Sequence, residues 1–218
     1  MNGNRQIYIK RITQFRDRVL ANRYQGSSPL APNSCGTKDT PIPLASLPKL
    51  SFKKIDVGET WAQLWGCGWF RFTGTVPAEF AGREIVALLD IGGEGCVFVN
   101  GTPEQGITVK REPDAFIQKR RVHLSSSAKA GEAVEILVEA GANGLFGERD
   151  VQRFVLNQSE MRCFNREIWQ LGLDLEFLLN LALSLPETSV RGRRILHGLN
   201  EAANLWHEGS GLAACRDV

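Results

Sequence analysis

Between Phe52 and Leu156 the chain is a succession of short apolar stretches separated by turn residues, a spacing that confines it to an antiparallel β architecture. Trp69-Phe70-Arg71-Phe72-Thr73-Gly74-Thr75-Val76 places Trp69 and Arg71 on one face and Phe70 and Phe72 on the other, and Pro77 ends the run. Ile85 to Asp90 is a nearly unbroken apolar block, which predicts a central strand covered on both faces. Cys96-Val97-Phe98-Val99 runs into Asn100-Gly101, a dipeptide that tolerates the two positive φ angles of a type I′ turn, so a hairpin is expected there. Ala133 to Ala140, after the turn Lys129-Ala130-Gly131-Glu132, gives a later strand whose outward Glu135 and Glu139 read as solubilising residues rather than an acid/base pair.

The flanks have a different period. Gln6 to Ala21 carries Ile9, Ile12, Phe15, Val19 and Leu20 at helical spacing. Tyr24 to Leu50 is rich in Ser, Pro, Gly and Asn and is expected to be a long loop draped over something, because Pro29, Pro32, Pro41, Pro43 and Pro48 deny it a continuous helix. From Ser159 to Leu185 the pattern predicts a helix with Phe164, Ile168, Leu171, Leu175, Leu178, Leu179 and Ala182 along one stripe. Trp169, Leu173, Phe177 and Leu181 widen that stripe until more than one side needs cover. Pro186 stops it, Thr188 or Ser189 is placed to cap a second helix, and Ile195, Leu199, Ala202, Ala203 and Trp206 form its apolar face. The expected organisation is an N-terminal helix and Pro-rich loop over 1–50, a β-sandwich over 51–157 and a helical hairpin over 158–218. The fold class is mainly β.

Lys and Arg number 26 against 24 Asp and Glu, a formal net charge of +2 that supplies no broad field for nucleic acid or an anionic membrane. Lys119-Arg120-Arg121 and Arg191-Gly192-Arg193-Arg194 read as solvated faces. Cys35, Cys67, Cys96, Cys163 and Cys215 are odd in number and widely spaced, which suits neither a disulfide framework nor a CxxC zinc site. Reduced thiols are expected. Met1 to Lys10 has no apolar core of signal-peptide length, and no segment reaches the roughly 18 apolar residues of a membrane span, so a cytoplasmic location is expected.

Few residues suggest chemistry. Ser125-Ser126-Ser127 near His123 has only sequence proximity, without the strained turn that presents a nucleophilic serine, and reads as a loop. Gly92, Gly93 and Gly95 do not open a helix and read as a turn or bulge rather than a phosphate cradle. Cys67 and Cys96 lie in glycine-rich surroundings with no neighbouring group to lower a thiol pKa. Trp61, Trp65 and Trp69 are four apart. Such a cluster can stack on a sugar ring, but the bland alternative, in which at least two of them are sandwich core or cover the junction with the helices, is the favoured reading.

Read in order, Trp65-Gly66-Cys67-Gly68-Trp69-Phe70-Arg71, Val76-Pro77, Gly92-Gly93-Glu94-Gly95, Val97-Phe98-Val99-Asn100-Gly101 and Gln105-Gly106 resemble the N-terminal jelly-roll region of family 38 α-mannosidases. Glu139-Ala140-Gly141-Ala142-Asn143-Gly144-Leu145-Phe146-Gly147 resembles the segment that closes this region in the cytosolic-type branch. The resemblance implies a jelly-roll sandwich of the galactose-binding-like kind. It also implies a role as a non-catalytic structural or docking domain, with retaining hydrolysis of α-mannosides carried out by a catalytic domain beyond this chain. The alternative is a stand-alone carbohydrate-binding module. The divalent metal of the family, expected to be zinc, belongs to a His-x-Asp motif of the catalytic domain, whereas His123, His197 and His207 are followed two residues later by Ser125, Leu199 and Gly209. The chain alone is therefore expected to hold no cofactor and to be inactive. Its expected partner is that catalytic domain, with a second copy of the chain or a carbohydrate as further partners. Trp61, Trp65, Trp69, Asn143 and Phe146 are the candidate sugar or interdomain contacts.

Overall fold

A computed structural model describes residues 2–99, 101–109, 118–143, 152–206, 212 and 215. The chain divides into two compact units, Gly26–Cys163 and the combination of Met1–Gln25 with Phe164–Val218.

The strands are β1 (Tyr24–Pro29), β2 (Ala31–Lys38), β3 (Lys53–Lys54), β4 (Thr60–Gln63), β5 (Cys67–Thr75), β6 (Ile85–Asp90), β7 (Glu94–Val99), β8 (Thr102–Val109), β9 (Gln118–Lys119), β10 (Arg121–Ser125), β11 (Ala133–Gly141), β12 (Arg153–Val155) and β13 (Gln158–Phe164). They form a seven-stranded sheet in the order β3-β2-β5-β11-β7-β8-β9, a four-stranded sheet in the order β1-β13-β6-β10, and a small β12-β4 pair. Alternation decides which side chains meet in the core. Phe70 and Phe72 of β5, Ile136, Val138 and Ala140 of β11 and Val97 of β7 join Ile85, Ala87 and Leu89 of β6 in one buried cluster. All six residues of β6 are buried, as a strand between β13 and β10 requires. Val99 pairs with Thr102 and Gly101 has φ +80°, so the expected two-residue hairpin closes there; Asn100 itself lies outside the described residues.

Two expectations fail. Tyr24 to Lys38 is not a loop but contributes β1 and β2, and β2 pairs with β5 from Ala31↔Thr73 to Lys38↔Cys67. Its other neighbour is only the two-residue β3, so Pro32 sits beside a nearly open edge, where a residue without an N–H is tolerated. The sandwich therefore begins well before residue 51. The remainder, Asp39 to Phe52, does drape as foreseen. It carries a 3-10 turn at Leu44–Lys49, and its Ile42, Leu47, Leu50 and Phe52 cover Trp69 and Phe98 on the outer face of the larger sheet.

The second failure concerns residues 158–164, expected as the start of a helix and found as β13, paired antiparallel with β6 from Gln158↔Asp90 to Cys163↔Ile85. Ser159, Met161 and Cys163 are buried between less buried Gln158, Glu160 and Arg162, a period of two.

The helical unit contains α1 (Asn2–Ala21), α2 (Arg166–Ser184) and α3 (Val190–Leu205). The side chain of Asn165 caps α2 by accepting from Ile168 N at 3.0 Å, and Ser189 caps α3 by accepting from Gly192 N at 3.2 Å. Ile12, Phe15 and Val19 of α1 pack with Ile168, Leu171, Leu175 and Leu179 of α2 and Leu196 and Leu199 of α3. The C-terminal hairpin is thus completed by the N-terminal helix. Part of α2 remains uncovered: Leu173, Phe177, Leu178 and Leu183 are exposed, Phe177 by 70%. No described helix is long and apolar enough to cross a membrane.

Candidate functional site

The three tryptophans separate completely. Trp61 belongs to the sandwich core, packing its ring edge-on to Phe70 at 5.2 Å and donating from Nε1 to Ile91 O at 2.6 Å. Trp69 is fully buried on the opposite side of the larger sheet, 5.5 Å from the Phe98 ring, and donates from Nε1 to Ile42 O. Neither presents a face to a ligand. Trp65 is 52% exposed and occupies the turn between β4 and β5. Its φ of +69° makes it the one described non-glycine residue in the left-handed region, a strained setting for a bulky side chain. Three main-chain bonds hold the turn: Gly66 N to Gln63 O at 3.0 Å, Trp65 N to Ala142 O at 2.7 Å and Ala142 N to Gly66 O at 2.7 Å.

Those bonds bring Trp65 alongside the end of β11, where Asn143 donates from Nδ2 to a carboxylate oxygen of Glu94. Here the outer face of the seven-stranded sheet carries an open depression of about 330 Å³ lined by Pro41, Ile42, Cys67, Glu94, Glu139 and Asn143, among others. Gly141 lies opposite both Cys67 and Glu94 and projects no side chain, which leaves the floor low. Glu139 is therefore not simply a solvated residue: it is half-buried and faces this depression, whereas Glu135 is exposed and lies 3.8 Å from Arg71. Sequence alternation put both on one face but did not separate them, because the difference comes from the strap at Pro41 and Ile42. Phe146 lies outside the described residues.

None of the five cysteines is in a disulfide. Burial pushes the Cys163 and Cys215 thiols up from the ordinary value, and burial followed by the charges of Glu139 and Asp39 does the same for Cys67. These three are not activated nucleophiles. His123 approaches Ser126 Oγ at 3.2 Å and Glu84 Oε1 at 4.0 Å, but both contacts use Nε2, so the imidazole does not relay between an acid and a hydroxyl. Gly92, at φ +72°, accepts the turn reading, its N–H bonded to Asp90 Oδ1 at 2.9 Å. Among the described residues no group of three or more His, Cys, Asp or Glu side chains is arranged to hold a metal ion.

Residues 28–168 match the Ams1-like family described as the jelly roll domain of alpha-mannosidase. The chain belongs to this family. The chain is 28% identical over 196 residues to mouse Alpha-mannosidase 2C1 and 28% identical over 201 residues to the human protein of that name, each alignment covering 88% of this chain. Alpha-mannosidase G of Dictyostelium discoideum is 27% identical over 165 residues, covering 72% of the chain. The chain spans about a fifth of the length of the two mammalian relatives, 19% in each case.

Proposed function

We propose that this jelly roll domain is a non-catalytic N-terminal domain that docks and braces the catalytic domain of a family 38 α-mannosidase. In this reading the retaining hydrolysis, and the divalent metal it uses, belong to the region of the parent enzyme beyond this chain. The parent acts on α-mannosides in the cytoplasm, a location consistent with five cysteines of which none is in a disulfide.

The observation that carries the reading is the apolar face of α2. Leu173 and Phe177 are one helical turn apart on one side, with Leu178 beside them, and all are exposed. Monomeric surfaces seldom keep such a patch uncovered, and burying each of these side chains is worth about 1.5–3 kcal/mol before the cost of association. The following domain of the same enzyme is the proposed occupant, since the mammalian relatives extend over about five times the matched length. Trp65 and the Glu94–Asn143 pair are proposed as a second contact region.

The test is to co-express the chain with the remainder of its parent enzyme as a separate polypeptide, and to measure complex formation and cleavage of an aryl α-mannoside. The chain alone is expected to be inactive with or without added zinc, and the pair to form an active complex. Leu173→Glu with Phe177→Glu is expected to dissociate the pair. It should also reduce any self-association of the isolated chain in a light-scattering dilution series. A folded double variant that binds as tightly as the parent chain would refute the docking role of α2.

A further inference from the structure

The outer face of the four-stranded sheet carries a second recess that the bracing role does not use. It is an open groove of about 470 Å³ lined by Ser27, Pro29, Val57, Asp90, Arg120, Asn157, Gln158, Ser159 and Glu160, all within the Gly26–Cys163 unit. Its volume is in the usual range for small-molecule sites, roughly 300–1,000 Å³.

A continuous run of hydrogen bonds crosses the sheet at this groove. Arg120 Nη1 donates to Gln158 Oε1 at 2.9 Å, Gln158 Nε2 donates to Glu160 Oε1 at 2.6 Å, and Ser27 Oγ donates to Glu160 Oε2 at 2.5 Å. At the far end Asn157 Nδ2 donates to Asp90 Oδ1 at 3.1 Å and to Val155 O at 3.0 Å. These bonds set the side chains in place without using up their capacity. The run draws one N–H from the Arg120 guanidinium, which has five, and Asn157 enters its bonds through the amide nitrogen, leaving its oxygen an acceptor. Fixed donors and acceptors therefore alternate along one wall, with the apolar surfaces of Pro29 and Val57 on another.

The charge is balanced as well. Asp90 and Glu160 are offset by Arg120 and by Arg162, whose Nε lies 3.5 Å from Glu160 Oε1. A phosphate or carboxylate would meet the two acids Asp90 and Glu160, and an ammonium ion would find the Arg120 guanidinium beside it and Glu160 already engaged by Arg162, Gln158 and Ser27. A polyhydroxylated neutral ring suits this wall, because each hydroxyl both donates and accepts and each ring has an apolar side. From this juxtaposition we infer that the groove across β1, β13 and β6 is a binding site for a neutral saccharide. It shares no lining residue with the depression beside Trp65 and none with the exposed face of α2.

The experiment is a titration of the isotope-labelled chain with methyl α-mannoside and an α-linked mannobiose, followed through backbone amide shifts, with glucuronate and glucosamine as charged comparisons. Saturable shifts at residues 27, 90, 120 and 157–160 are expected with the neutral sugars. Arg120→Met and Gln158→Ala should each weaken binding roughly tenfold, the effect of a hydrogen bond lost to a bound hydroxyl, while keeping the parent's melting temperature within a few degrees. Should Arg120→Met unfold the chain, Gln158→Ala and Ser27→Ala decide the matter alone. No saturable shift with any neutral sugar, shifts confined to the charged ligands, or a loss that follows Trp65→Gly rather than the groove variants would each overturn the inference. None of these outcomes bears on docking by α2, which is read from complex formation.

Discussion

Trp69 Nε1 donates to the main-chain carbonyl of Ile42 at 2.8 Å, tying the strap of residues 39–52 to the outer face of the larger sheet. The indole is fully buried, so the bond has no competition from water. Trp69→Phe should leave the Ile42 carbonyl unsatisfied and open a small void. The expected loss is about 2–4 kcal/mol from the two effects together, measured by urea unfolding. Iodoacetamide should also reach Cys35 and Cys96 faster, because both thiols lie under or beside the strap.

At the turn before β5, the positive φ of Trp65 reverses the usual ranking of small residues. Trp65→Gly and Trp65→Ala remove the same indole contacts, but only alanine retains a Cβ that opposes the left-handed conformation. The glycine variant should be the more stable by about 1 kcal/mol, the reverse of what a strand or helix interior gives. Equal melting temperatures for the two would contradict the turn geometry.

Within the helical unit, the space that a Cβ on Gly172 would need is occupied by the side chain of Leu20. Gly172→Ala raises helix propensity by about 1 kcal/mol, yet it should destabilise the chain, since separating α1 from α2 costs about 1–3 kcal/mol. Pairing it with Leu20→Ala should recover part of the loss; additive effects of the two substitutions would argue against direct contact.

The raised thiol pKa values set a pH dependence. Protonated Cys67, Cys163 and Cys215 are favoured in the folded state above their ordinary value of 9.0. The folded chain then binds more protons than the unfolded chain, so this contribution is complete below pH 9 and declines as pH rises beyond it. Melting temperatures should fall more steeply above pH 9 for the parent than for a Cys163→Ala, Cys215→Ala variant. At neutral pH, thiol labelling after unfolding should find all five cysteines, with Cys163 and Cys215 slow to react before unfolding.

The alternation around Trp69, the apolar block of β6 and the hairpin at Gly101 were legible in the sequence because each is fixed by contacts within one or two strands. Two elements were obscured by their composition. The prolines of residues 24–38 argue against a strand, and only the short neighbour β3 makes Pro32 acceptable there. In β13, Ser159, Met161 and Cys163 alternate correctly, but the apolar residues that follow in α2 let a helical period be extended backward over them. The site candidates divided for a related reason. Trp61 and Trp69 are equally aromatic and both buried, and whether either meets a ligand depends on Phe154 and Ile42, which are far away in sequence. The groove at Arg120 had no motif at all, because its lining comes from five separate segments.

The helical unit draws α1 from one end of the chain and α2 and α3 from the other. During synthesis the ribosome must therefore extend the polypeptide from Ala21 to Arg166 before α1 has a partner, which at roughly 5–20 residues per second takes on the order of ten seconds. Ile12, Phe15 and Val19 spend that interval without their native cover, while the sandwich strands emerge and close upon one another. The order of assembly is thus imposed by chain connectivity: α1 is made before the sandwich strands that separate it from α2, and is packed after them.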